Sequence, residues 1–294
     1  EKLYIYLSED ETSNNFIIGT EGDDTLIGTD QNDTIDAYKG NDTIHGGDGN
    51  DKIFSGFGDD FIYGEAGDDV LIQHSSGYQY WDGGEGNDTY IVDTSRWTVD
   101  RDTLLFEVNL ETGVSRELNN DYNKNTLINI ENIEIKGVFN TQITGNDLDN
   151  IIVGGSGDDI IYGGKGTDTI TTGLGSDLIV IRLGDGNSSL ETTYIITDFE
   201  DGSDVIGMSG LSFSDFSIKQ GEGNYASHTI LSISGNYVGI LENTIASNIS
   251  EDDFIGMPSY MSGISEIPAV SLNDVSIVEY TNSSIDDVTT YKTD

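Results

Sequence analysis

From residue 19 to residue 72 one polarity pattern recurs every nine residues: a turn of small residues, an aspartate at the sixth place and an aliphatic residue at the eighth. The stretch 46–72, GGDGNDKIFSGFGDDFIYGEAGDDVLI, holds three copies end to end. Asp24, Asp33, Asp42, Asp51, Asp60 and Asp69 stand nine apart, and two places after each come Leu26, Ile35, Ile44, Ile53, Ile62 and Leu71. A three-residue alternation predicts a short strand with the eighth position inward and its neighbours outward. One such unit buries a single aliphatic side chain, so a core forms only if units stack. The predicted architecture is therefore an all-β solenoid.

The period slips once and then returns. QHSSGYQYW follows with one extra residue, GGEGNDTYI restores the phase at Asp88 and Tyr90, and after an excursion the ladder resumes at Asn150, Asp159, Asp168 and Asp177. Eleven units keep the pattern. Glycine reaches positive φ without steric cost, so each turn can aim several backbone carbonyls inward, and the aspartate adds a carboxylate to that cluster. Hard cations such as Ca²⁺ take about six to eight oxygens of these two kinds, at about 2.3–2.6 Å.

Charge sharpens this expectation. The chain carries 54 acidic and 12 basic residues, a net charge of −42. Phosphates of nucleic acid and anionic membrane surfaces would be repelled. Self-repulsion of this size destabilises a compact state unless cations neutralise it. The competing reading is a solenoid held by aliphatic stacking with its acidic turns left in water; like charges at every turn then repel along the stack. There is no cysteine, hence no disulfide and no thiolate ligand. No apolar run reaches transmembrane length, and no basic stretch precedes an apolar run as in a classical signal peptide. The opening EKLYIYLSED, without Met, suggests a fragment or a processed product.

These units match the nonapeptide GGxGxDxUx of the repeats-in-toxin (RTX) family, a Ca²⁺-binding parallel β-helix motif. The resemblance implies a right-handed parallel β-roll with two units per turn and calcium between units n and n+2. It pairs Asp24 with Asp42, Asp33 with Asp51, Asp42 with Asp60, Asp51 with Asp69, and Asp159 with Asp177; Asp88 and Asp168 are further carboxylate ligands. Carbonyl ligands would come from the turn glycines. These are Gly22, Gly40, Gly46, Gly47, Gly49, Gly56, Gly58, Gly64 and Gly67 in the first block, and Gly155, Gly157, Gly163, Gly164 and Gly166 in the second. Ala66 would serve likewise. Roughly five to nine calcium ions are expected. Ala37, Ser55 and Thr172 depart from the pattern at position one, Gln31 and Leu148 at position four, and Asn150 at the aspartate, where a site would be weaker.

The remaining segments complete the expected organisation: a lead-in strand (1–15), a first roll block (16–91), a strand-rich insertion (92–144), a second block (145–187), a β-rich cap (188–257) and a tail (258–294). TLINIENIEI resembles an insertion seen in haemolysin-type repeat proteins, read as strands extending or flanking the roll. IITDFEDGSDVI and ISEDDFI resemble the segment that closes the roll in serralysin-type proteases. PAVSLNDVSIVEYTNSS resembles the opening strand of a Calx-β domain; this strand, or the N-terminal LYIYL, could instead add to a sheet edge in a neighbouring molecule. Outward positions turn from Thr25, Thr34 and Thr43 to Phe54, Phe61, Tyr63, Val70 and Ile72, which predicts a covered face at that end, or else plain β-propensity.

No enzyme is expected. His45, His74 and His228 are isolated, and neither HExxH nor GxSxG occurs. The resemblance implies a calcium-binding structural module of a secreted bacterial protein, exported by a type I system and folding outside the cell, with no nucleic-acid partner and no membrane insertion. Two alternatives stand beside it. One is a cell-surface adhesin, surface-layer or filament-forming protein that self-assembles or binds another surface protein or glycan. The other is a non-catalytic part of a carbohydrate-directed exoenzyme, in which Trp81, Trp97 and Tyr80 could stack on sugars, against the simpler reading that they pack in the core or cap.

Overall fold

In the computed structural model the described residues are 4–6, 15–74, 77–94, 105–118 and 124–257. The tail from Pro258, with its Calx-β resemblance, and Trp97 lie outside them. Each unit supplies one short strand, and successive strands fall alternately into two sheets of thirteen and twelve strands. Every roll strand therefore pairs, in parallel, with the strand two units away. This is a parallel β-roll. No α-helix occurs among the described residues.

Register follows the eighth position. In one sheet Ile17, Ile35, Ile53, Leu71, Tyr90, Ile133, Ile152, Ile170 and Ile196 oppose one another in succession. In the other, Leu26, Ile44, Ile62, Trp81 and Leu127 do the same. All of these are at most 4% exposed. A slip by one residue would turn every one of them to solvent, so burial enforces the phase. Each buried aliphatic side chain contributes about 1.5–3 kcal/mol.

The insertion lies within the wall of the roll and does not flank it. Leu105–Asn109 and Val114–Glu117 form an antiparallel pair wedged between Lys124–Ile128 and Asn140–Thr144 in the twelve-stranded sheet. The other sheet passes directly from Thr89–Asp93 through Asn132–Lys136 to Ile151–Val153. One wall is thus wider by two strands, about 10 Å at the usual strand spacing. Polar side chains fill the interior there. The Tyr90 hydroxyl donates to Gln73 and lies 2.9 Å from Ser115 Oγ, while Asn125 Nδ2 donates to Gln73 Oε1 and Ser115 Oγ, each at 3.0 Å. Trp81, wholly buried and edge-on to Tyr90 at 5.4 Å, is core and is not available to a sugar.

At the C-terminal end Asn236–Leu241, Thr229–Ile233 and Phe216–Gln220 continue one sheet as an antiparallel meander. Val205–Ser209 and Phe254–Met257 extend the other sheet in parallel. Phe213 and Phe216 pack on Phe254 at 5.1 and 5.0 Å, covering the last cross-section. At the opposite end Tyr4–Tyr6 pairs antiparallel with Phe16–Ile18 of its own chain. The predicted cover over the apolar flank reaches Ile72, 4% exposed, but not Phe61, 50% exposed. Outward rings stack on one another instead: His45 on Tyr63 at 5.0 Å and Phe54 on His74 at 5.3 Å.

Candidate metal centres

Each inward turn precedes an edge of the roll, so the aspartates form two ladders. Their Oδ1 atoms close the ladder to the unit two places earlier: Asp24 N–H donates to Asp42 Oδ1 (2.8 Å), Asp33 to Asp51 (2.7 Å), Asp42 to Asp60 (2.9 Å), Asp51 to Asp69 (2.7 Å) and Asp159 to Asp177 (2.8 Å). The structure thus brings together the carboxylates that the period pairs. Asp69 reaches Asp88 across the degenerate unit (2.7 Å), and Asn150 reaches Asp168 (2.9 Å).

The second carboxylate oxygen has a different surrounding. Among the described residues, Oδ2 of Asp42, Asp51, Asp69, Asp88, Asp159, Asp168 and Asp177 is buried with no hydrogen-bond partner. It faces the turn of its own unit and a carbonyl of the next unit on the same edge. A side chain at Gly46 would place its first carbon 2.5 Å from both Asp51 Oδ2 and the Gly64 carbonyl oxygen. Gly64 and Gly163 make the same approach to Asp69 and Asp168. Gly47 (φ 107°) and Gly58 (φ 140°) turn the backbone where an L side chain is strained, and each stacks directly on a carbonyl of the unit below.

An oxygen anion buried without donors is costly, and the titration of these groups reflects it. Burial pushes Asp42 and Asp69 up to about 6, and Asp51, Asp60, Asp88, Asp168 and Asp177 up to about 7. Backbone N–H donors oppose the rise and neighbouring carboxylates add to it in most of these groups. Asp159 is raised well above its ordinary value by burial and by Asp177. A divalent cation supplies the missing counter-charge. Among the described residues no three His, Cys, Asp or Glu side chains converge on one point. The oxygens would therefore come mainly from turn carbonyls beside one or two carboxylates, a hard, all-oxygen set suited to calcium.

Three rungs lack this feature. Asp24 Oδ2 accepts from Thr20 N–H (2.6 Å), Asp33 Oδ2 from Thr29 N–H (2.6 Å), and Asp60 Oδ2 from Gln79 Nε2 (3.3 Å). Asn150, at an aspartate position, accepts from Asn146 N–H (2.9 Å) and donates to the Glu131 carbonyl (2.6 Å).

Two rungs escaped the sequence reading. Glu131 accepts the Asp88 N–H at 2.7 Å, and Asp204 accepts the Asp177 N–H at 3.1 Å. Burial raises the Asp204 carboxyl as well. A signal was present: Glu131 and Asp204 each precede an inward isoleucine, Ile133 and Ile206, by two residues, as in the repeat. The leading glycines of the turn are missing before both, although Gly202 keeps the fourth place before Asp204.

The match to a known family falls on the same repeats. The family described as RTX calcium-binding nonapeptide repeat (4 copies) matches residues 11–44, 37–71 and 144–179. The matched segments fall in the two repeat blocks, and their family is described as calcium-binding. Among curated proteins none matches. Among solved structures the chain is similar to the extracellular lipase LipA from Serratia marcescens, with 14% identity, 84% of this chain and 40% of that one covered, and a TM-score of 0.29. It is also similar to the AlgE6R3 subunit of the mannuronan C5-epimerase from Azotobacter vinelandii, with 21% identity, 54% and 92% covered, and a TM-score of 0.30. The chain thus spans about two fifths of the lipase it matches.

Proposed function

We propose that this chain is the calcium-folded structural segment of an exported bacterial protein, unfolded where free calcium is scarce and folded where it is plentiful. The observation that carries this reading is the row of seven buried Oδ2 atoms that no protein donor meets. Calcium held by Asp42, Asp51, Asp69, Asp88, Asp159 and Asp177 with turn carbonyls would provide the charge compensation. Without the ion the compact chain must bury anions or bind protons; the unfolded chain hydrates the same groups at no such cost. Binding to the folded state alone then makes stability a function of free calcium by mass action. Export unfolded through a type I system, and residence outside the cell or on its surface, belong to this proposal. No catalytic role is part of it.

The test is far-UV circular dichroism of the chain in chelator, then on titration with Ca²⁺ against Mg²⁺. A cooperative coil-to-β transition specific to calcium is expected. A chelated sample already fully β would sink the reading.

A second reading, calcium-dependent assembly at the cell surface, is favoured by one observation. Phe57, Phe61 and Tyr78 are 61%, 50% and 51% exposed on the first block, three rings facing water. Light scattering that stays monomeric at high protein and calcium concentration would remove it.

A further inference from the structure

We infer that the ends of the two ion rows are closed by hydrogen-bond donors of the protein itself, leaving six inter-unit gaps for calcium. This rests on the calcium reading above and deepens it.

The second residue of each unit decides whether a turn is open. In eight units it has positive φ: Tyr38 (73°), Gly47 (107°), Gly56 (80°), Glu65 (77°), Gly84 (108°), Gly155 (113°), Gly164 (101°) and Gly173 (104°). None of these turns directs a position-two N–H at its own aspartate. In the three remaining units position two is Thr20, Thr29 or Asn146, outside that conformation, and its N–H donates to the side chain at position six. The threonine hydroxyls add a second donor, at 2.9 Å to Asp24 Oδ2 and 3.0 Å to Asp33 Oδ2. An oxygen that accepts two donors has both lone pairs in use, and the donor hydrogens lie where a cation would be repelled. Tyr38 and Glu65 hold the left-handed conformation although non-glycine residues there are strained. Such strain persists only where something offsets it, and an ion in the open turn is that partner.

Two further gaps are closed by other means. Beyond Asp60 the next rung is Gln79, whose amide hydrogen takes the place of a cation. Beyond Asp168 the next rung is Tyr194, whose hydroxyl donates to the Gly164 carbonyl that faces that gap. These closures fall at the start of each block, at the degenerate unit and at the closing segment. They stand where the ladder ends or is interrupted.

Each gap left has carboxylates on both rungs, with Oδ2 of the first unpartnered. In the first block these are Asp42 with Asp60, Asp51 with Asp69, and Asp69 with Asp88. Asp88 with Glu131 carries that row across the insertion, and Asp159 with Asp177 and Asp177 with Asp204, on the other row, bring the gaps to six.

Calcium bound per chain, counted by native mass spectrometry and by equilibrium dialysis on the full chain, tests this. Six ions are expected, one for each gap with an unpartnered Oδ2 facing a second carboxylate. Any other non-zero count overturns the inference while leaving the calcium reading intact; no bound calcium overturns the calcium reading itself. The double substitution Thr20→Gly with Thr29→Gly removes both hydroxyl donors and frees the turn, so the count should rise by two. Gln79→Asp, remote from those turns, should add one ion beside Asp60, so the inference is tested even if the double variant does not fold. Folded variants that keep the wild-type count would refute the role of these donors.

Discussion

Without calcium, acid should restore the fold that neutral pH forbids. The buried ladder aspartates titrate at about 6 to 7 in the folded chain, against about 3.9 for an unperturbed aspartate. The folded state therefore holds protons more tightly than the unfolded one. Stability from this source is fully present below about pH 4 and is lost as pH rises through 6 to 7. For a group at about 7 the loss is on the order of 4 kcal/mol. These side chains are at most 1% exposed, so little solvent screening reduces it. Two such groups already match the whole net stability of an ordinary domain, about 5–15 kcal/mol. The metal-free chain should thus be unfolded at pH 8 and gain β-structure on acidification toward pH 5. The assay is far-UV circular dichroism and tryptophan fluorescence of dialysed, calcium-free protein from pH 8 to pH 5, stopping short of the isoelectric region near 4.1. Added monovalent salt separates the general repulsion of −42 charges, which it screens, from the burial cost, which it leaves. Equal β-content across this range, or a transition reproduced at pH 8 by salt alone, would refute the reasoning.

Three other outcomes are expected. Asp69→Asn should cost two ions and Asp42→Asn one by native mass spectrometry, because Asp69 lies between two open gaps and Asp42 beside one closed by Thr20. Ile53→Ala, at 0% exposure between Ile35 and Leu71, should destabilise the calcium-loaded roll by about 2–5 kcal/mol in denaturant titration. Tyr90→Phe should cost about 1–3 kcal/mol in the same assay, since Gln73 and Ser115 each lose a buried partner.

The repeat made the roll and most of the ladder legible in advance. A nine-residue period with one inward aliphatic residue admits little except a stacked parallel roll, and the aspartate at a constant phase places the carboxylates along its edges. Glu131 and Asp204 were hidden because the leading glycine pair, the part of the motif most visible in sequence, is absent before them, and before Asp204 only Gly202 remains of the turn. Whether the insertion extends or flanks the roll was left open for a related reason. Composition announces strands, but their partners depend on contacts far along the chain, such as Leu105 beside Asn140 and Thr126 beside Tyr80.

What the sequence determined by itself is therefore whatever depends on local period: strand phase, the inward residue, the turn and the acidic rung. The tertiary structure alone decided which carboxylate oxygens are left without donors. Thr20, Thr29 and Gln79 look like ordinary departures from a glycine-rich consensus. The amide of Gln79 meets Asp60 only when the turns are stacked, while Thr20 and Thr29 meet Asp24 and Asp33 within their own turns, through a backbone conformation that the folded turn sets. Whether a buried anion needs a cation is settled by its neighbours within about 3 Å, and in a solenoid some of those neighbours come from another turn.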